Sequence, residues 1–176
     1  MNIAYFVWEY PPHLVGGLGI YAKEMTKRFE ELGHEVVVFT MNDGSLPTHE
    51  ELDGIEVYRP LTINDPTFQL LVREDLRSWG ENIRIFERIF SYNYVSSSIF
   101  VNQVVREYGR EFDVLAYHDW LSALAGLIVQ KELKIPTVFH IHSTEEQRNF
   151  GTGSQTIKDV EKFAADNAEK IITVSY

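Results

Sequence analysis

Short apolar or β-branched runs alternate with helical patterns along most of this chain, and that alternation restricts its fold more than any other feature. Ile3–Trp8 is a nearly unbroken apolar run, as expected of a strand buried on both faces. Gly19–Leu32 has helical spacing: Ile20, Ala22, Met25, Phe29 and Leu32 can share a face, with Lys23, Glu24, Lys27 and Glu31 outside. Gly33 ends that helix at the C′ position. Glu35–Thr40 is β-branched and reads as a second strand, Asn42–Ser45 is a turn cluster, and Gly54–Arg59 is a short third strand closed by Pro60.

Residues 61–110 break the rhythm. From Asp65-Pro66 onward the pattern is mostly helical, carrying Phe68, Leu70, Leu71, Leu76, Trp79, Ile83, Ile85, Phe86, Ile89 and Phe90. Tyr92-Asn93-Tyr94 and Ser96–Ser98 interrupt it, and a helix Ser98–Tyr108 follows. Alternation then resumes with strand Asp113–His118, helix Asp119–Leu133, strand Pro136–Ile141, a helix near Thr156–Ala168 and strand Lys170–Ser175. The expected fold class is therefore α/β: a doubly wound, mainly parallel, Rossmann-like sheet of six strands with a helical insertion around 61–110. Right-handed crossovers put the loops after the strands on one rim, where ligands bind in such sheets.

Composition narrows the function classes. At 176 residues the chain reads as one domain, 1–176. It has no cysteine, which removes disulfide scaffolds and cysteine nucleophiles. The net charge of −10 opposes nucleic-acid binding. No apolar run approaches the ~18–20 residues of a membrane span, and no signal-peptide pattern opens the chain. A cytoplasmic protein without nucleic-acid or membrane partners is expected.

Three rim segments carry chemistry. Glu9–Gly19 joins strand one to a helix through Gly16, Gly17 and Gly19, and backbone amides at a helix N-terminus suit an anion such as a phosphate. Gly17–Ala22 fits G-x-G-x-x-A literally, yet the dinucleotide fingerprint places its first glycine directly after the strand, and here Glu9–Gly16 intervene. Asp43 beyond strand two leaves an acidic ribose partner open. The Walker lysine is absent. His118-Asp119-Trp120 ends strand four; Asp119 can cap the next helix, face the cleft, or both. His140 and His142 share a strand face by period-two spacing. With His118 and Asp119 nearby a metal must be considered, but the spacing matches no common zinc pattern. His140 reads as a packed histidine and His142, at the rim, as the functional one. Glu9 and Tyr92 can be a solvated carboxylate and a core aromatic, or parts of a ligand surface.

Together, Glu9, Val15-Gly16-Gly17-Leu18-Gly19, His118-Asp119-Trp120, Phe139–His142 and Lys170–Ser175 resemble the N-terminal half of glycogen/starch synthase-type retaining glycosyltransferases, which have two Rossmann-like domains in the GT-B architecture. The resemblance covers nearly the whole chain in the right order. It implies that Gly16 and Gly17 approach the donor diphosphate, that His142 lies against the transferred glucose, and that Asp119 lies near the reacting sugar. Glu9 and Tyr92 become candidates for the acceptor side. No metal and no cofactor are implied. The implied reaction moves glucose from ADP- or UDP-glucose to the non-reducing end of an α-1,4-glucan. Leu14 stands where bacterial synthases commonly have lysine, which leaves the donor nucleotide open, and Ser143 stands where asparagine is frequent. The resemblance also implies a C-terminal nucleotide-binding domain beyond Tyr176, without which residues 1–176 should turn over little donor. The alternatives are a stand-alone glucan or nucleotide-sugar binding module and an NAD-dependent oxidoreductase domain.

Overall fold

The computed structural model describes residues 1–62 and 82–174. Among these residues seven strands form one sheet: β1 (Asn2–Phe6), β2 (Glu35–Phe39), β3 (His49–Leu52), β4 (Ile55–Tyr58), β5 (Val114–His118), β6 (Thr137–Ile141) and β7 (Lys170–Thr173), in the order β3-β4-β2-β1-β5-β6-β7. Every pair is parallel except β3 with β4. The chain runs from β1 outward to β2 and β4, then returns to β5 on the other flank of β1. The strand order therefore reverses between β1 and β5, the point at which open α/β sheets bind ligands.

The expected six strands become seven. β3 (His-Glu-Glu-Leu) lacks an apolar run, and its hairpin partner β4 supplies the apolar face. Charged residues on an edge strand discourage pairing with another chain, which also hides such a strand from a hydrophobicity pattern. Asp53 and Gly54, both with positive φ, make the tight turn between the two.

Helices lie on both faces. α1 (Gly17–Glu31) packs Leu18, Ala22 and Phe29 over Ile3, Tyr5, Val7, Val36 and Val38. Its stripe is rotated from the expected one: Ile20 and Leu32 are exposed, whereas Gly19 and Thr26 face inward. Thr26 can sit there because its hydroxyl donates to Ala22 O at 2.9 Å and also meets the Tyr10 hydroxyl at 2.7 Å.

The opposite face carries α2 (Asn82–Ser98), α3 (Asp119–Leu133) and α5 (Gln155–Asn167), with a short α4 (Glu145–Arg148) between the last two. This face buries Ala4, Phe6, Val37, Phe39, Leu115, Tyr117 and Phe139, so the alternate residues of each strand serve the two layers. The expected break at Tyr92–Ser98 is absent. α2 runs through it and continues without a turn as a π-helix, Ile99–Glu107, which replaces the separate helix expected at Ser98–Tyr108. Asn93 is buried as a tie rather than a breaker: its amide donates to Ile89 O and Leu121 O, and its Oδ1 accepts from Ala125 N, fixing α2 to α3. The expected helical positions Phe68, Leu70, Leu71, Leu76 and Trp79 lie outside the described residues, as does Ser175 at the end of the last expected strand.

α3 approaches β5 closely at Gly126. A Cβ there would lie 2.4 Å from ring carbons of Tyr117, a fully buried residue whose hydroxyl donates to Ala164 O. Gly126→Ala is therefore expected to destabilise the chain by about 1–3 kcal/mol, overriding alanine's better helix propensity. An unchanged or higher denaturation midpoint would contradict this packing.

Candidate functional site at the strand ends

The rim at the C-terminal ends of β1, β5 and β6 brings together Glu9, the glycines before α1, Asp119 and the histidines. The connection after β1 is long but anchored. Buried Arg59 pairs with Glu50 on β3 and donates to Pro11 O, holding that loop to the β3–β4 hairpin. His13 pairs with Asp43 at 2.9 Å, and Asp43 also accepts from Ser45 N. Asp43 is thus engaged within the loops, which weakens the ribose-partner reading.

Glu9 does not project freely. Its Oε2 accepts from Val15 N at 3.0 Å and from Gly16 N at 2.9 Å, so an internal carboxylate occupies part of the anion-binding turn. Gly19 packs against the Glu9 side chain, where a Cβ would come within 3.1 Å of Glu9 Cβ and 2.7 Å of Leu14 Cδ2. Gly16 and Gly17 differ: a Cβ on either would meet nothing within 4 Å among the described residues. Gly16 is the extended N-cap of α1 and Gly17 its first residue. The amides of Gly17, Leu18 and Gly19 have no acceptor within the helix and point toward the rim with the positive end of its dipole. Helix α1 begins at Gly17 itself, so the glycines do not form the tight strand-to-helix turn of a dinucleotide site.

Asp119 opens α3 with φ +50, a left-handed conformation that aspartate tolerates better than most residues. Its carboxylate does not cap its own helix: Oδ1 accepts from His142 N at 2.8 Å, tying the start of α3 to the end of β6. Burial raises its pKa, and the hydrogen bonds from the His142 and Ser143 amides work against that rise. Ser122 closes the same turn by bonding His118 N and His118 O.

The histidines form one cluster on the α1 side of the sheet. His118 pairs in register with His140, and their rings lie 4.3 Å apart. His118 Nδ1 is 3.0 Å from His142 Nε2. Tyr21 of α1 reaches His140 Nδ1 at 3.4 Å and meets the His142 ring edge-on at 4.8 Å. Burial lowers the pKa of all three: well below 6.5 for His118, to about 4 for His140, and downward for His142, where the Asp119 charge opposes the shift. The facing nitrogens of His118 and His142 bond each other, and among the described residues no three His, Cys, Asp or Glu side chains converge as a metal site.

These neutral histidines make stability depend on pH with a definite sign. Below about pH 6.5 the unfolded chain takes up protons that the folded chain refuses until its lowered pKa values are reached. The contribution is therefore full above pH 6.5 and is lost as pH falls toward 4; Asp119, shifted upward, acts with the opposite sign only near the carboxylate range. Stability should drop by about 2 kcal/mol or more between pH 7 and pH 5. Urea midpoints measured across that window check this, and His140→Phe should flatten the slope.

The site differs from the sequence expectation at Tyr92. Its side chain is fully buried beneath the rim, where the hydroxyl donates in a shared bond to Phe39 O at 2.9 Å and Val7 O at 3.1 Å. It braces the ends of β1 and β2 and presents no surface to an acceptor. Tyr21 was missed by sequence reasoning, because only the packing of α1 shows that it meets the histidines. A groove of about 890 Å³ lies on the other face between α2, α3 and α5, lined by apolar residues such as Phe86, Phe90, Trp120 and Leu127. Of the rim segments it takes only Trp120, and Glu9, Gly16, Gly17, Asp119 and the histidines do not line it.

Comparison with known proteins identifies the family and supports the fold. The model of Glycosyltransferase Family 4 matches residues 15–176. An uncharacterized glycosyltransferase of Methanocaldococcus jannaschii is 31% identical over 178 residues, covering 99% of this chain and 40% of that protein. A glycogen synthase of Mycobacterium tuberculosis is 26% identical over 182 residues, with 99% and 42% covered. A D-inositol 3-phosphate glycosyltransferase of Frankia alni is 32% identical over 140 residues, with 76% and 30% covered. The fold superimposes on a sucrose-phosphate synthase of Thermosynechococcus elongatus with a TM-score of 0.64 at 16% identity, over 97% of this chain and 41% of that one. The chain thus spans about two fifths of the length of the first curated relatives it matches. Matched by that family model over residues 15–176 and by a 31% identical relative over 99% of its length, this chain belongs to Glycosyltransferase Family 4.

Proposed function

We propose that this chain is the N-terminal, acceptor-side domain of a glycogen synthase-like retaining glucosyltransferase, which moves glucose from ADP- or UDP-glucose to the non-reducing end of an α-1,4-glucan. The observation that carries the reading is that the helix with the open glycine start sets its Tyr21 ring against His142, whose backbone Asp119 holds, beside the strand-order reversal. The C1–O bond to the diphosphate breaks with its electron pair leaving on the nucleoside diphosphate. The acceptor hydroxyl bonds to C1 on the same face, and its proton passes to the departing phosphate oxygen. Negative charge therefore grows on the diphosphate, where the first-turn amides of α1 oppose it.

Gly17 offers its amide directly in this scheme, and Gly16 offers open space, since its amide is held by Glu9. Glu9 acts mainly by shaping that turn. His142 orients the transferred glucose, and Asp119 sets the position of His142. A second α/β domain completes the cleft and holds most of the nucleotide, so residues 1–176 alone turn over little donor. The setting is cytoplasmic, without a metal or cofactor. Incubating the complete protein with each labelled nucleotide-glucose and a maltooligosaccharide tests the reading. Elongation by α-1,4-linked glucose supports it, and transfer only to an inositol phosphate would replace the glucan by the acceptor named for the Frankia relative.

A further inference from the structure

We propose that His118 is a positioning residue that locks His142 into the tautomer carrying its proton on Nδ1, so that His142 meets its ligand as a fixed hydrogen-bond donor rather than as a base. The inference deepens the sugar-transfer reading of His142 and rests on it for the identity of the ligand alone.

The argument begins with an orphan atom. The His118 ring is completely buried, and its Nε2 has no hydrogen-bond partner among the described residues. Its Nδ1 faces His142 Nε2 at 3.0 Å. Two neutral arrangements can fill that contact. If His142 Nε2 carried the proton and donated it, His118 would need its own proton on Nε2, leaving a buried N–H with no acceptor. If His118 Nδ1 donates, the orphan Nε2 holds only a lone pair. Orphaned buried N–H groups are the rarer and costlier state, so the second arrangement prevails.

The surroundings disfavour a third, cationic arrangement. The rings facing His118 are Tyr5 at 4.4 Å, His140 at 4.3 Å, His142 at 5.3 Å and Tyr21 at 6.1 Å, none of which supplies a compensating negative charge. With Nε2 of His142 occupied as an acceptor, a neutral His142 must be protonated on Nδ1. Its backbone is held by Asp119 and its ring edge by Tyr21, so both the place and the polarity of this N–H are set before any ligand arrives. The matching ligand group is an acceptor: the lone pair of a sugar hydroxyl or a phosphate oxygen.

Long-range ¹H–¹⁵N correlation spectra of the histidine-labelled chain at neutral pH read both tautomers directly. The expected result is a protonated Nδ1 on His118 and on His142, with an unprotonated Nε2 on each. A protonated Nε2 on His142 overturns the proposal. His118→Asn places an amide donor where Nδ1 stood and should preserve the His142 pattern; His118→Phe should give mixed tautomers. In the complete enzyme the Phe variant should lose about 10- to 100-fold in kcat with little change in KM for the acceptor, and the Asn variant should recover most of it. Equal loss in both variants contradicts a tautomer lock. The wild-type spectrum decides the tautomer even where a variant fails to fold. A locked tautomer accompanied by full activity of His142→Ala would instead sink the sugar-transfer role of His142 and leave the lock standing.

Discussion

His142→Ala in the complete enzyme is expected to lower kcat by about 10²- to 10³-fold, the scale seen when one preorganised donor is removed from a reacting centre. The fold should survive. His142 is only half-buried, and its backbone amide, which Asp119 holds, remains in the variant. The buried Nδ1 of His118 would lose its acceptor, which should cost about 1–2 kcal/mol of stability unless water enters the space. A denaturation midpoint and a turnover number from the same preparation separate the two effects. Near-normal kcat would remove His142 from the site.

The second large effect is expected at Asp119, where two substitutions divide structure from charge. Asp119→Asn keeps a side-chain oxygen for the His142 amide and keeps a residue type that tolerates φ +50. It should fold with nearly native stability. Asp119→Ala loses the hydrogen bond, leaves His142 N without its partner and forces alanine into the left-handed region, for a combined cost of about 2–3 kcal/mol. If Asp119 acts only by placing His142, the asparagine variant should retain most of the turnover and the alanine variant should lose about as much as His142→Ala. A severe loss in both would show that the carboxylate charge itself acts on the reacting sugar.

The alternation of strands and helices was legible because each buried strand carries its own apolar run. β3 was not, since a charged edge strand takes its stability from its hairpin partner and shows no pattern of its own. The continuous helix through Tyr92–Ser98 is hidden for a related reason: Asn93 is a weak helix former by residue type, but its side-chain amide is satisfied within α2 and by α3. At the site, residue types located the rim but not the partners. Sequence placed Glu9, Gly16 and Gly17 in one loop, yet only the fold shows that Glu9 already accepts from the Gly16 amide. It placed three histidines on two strand ends, yet the His118–His142 bond follows from the register of β5 against β6, which is a tertiary property.

Product analysis of the complete protein tests the central claim most directly. With ADP-glucose or UDP-glucose and a maltooligosaccharide, the account predicts acceptors lengthened by glucose with the anomeric configuration retained, read by ¹H NMR of the new α-1,4 linkage. Consumption of neither donor, or a product with inverted configuration, would contradict it.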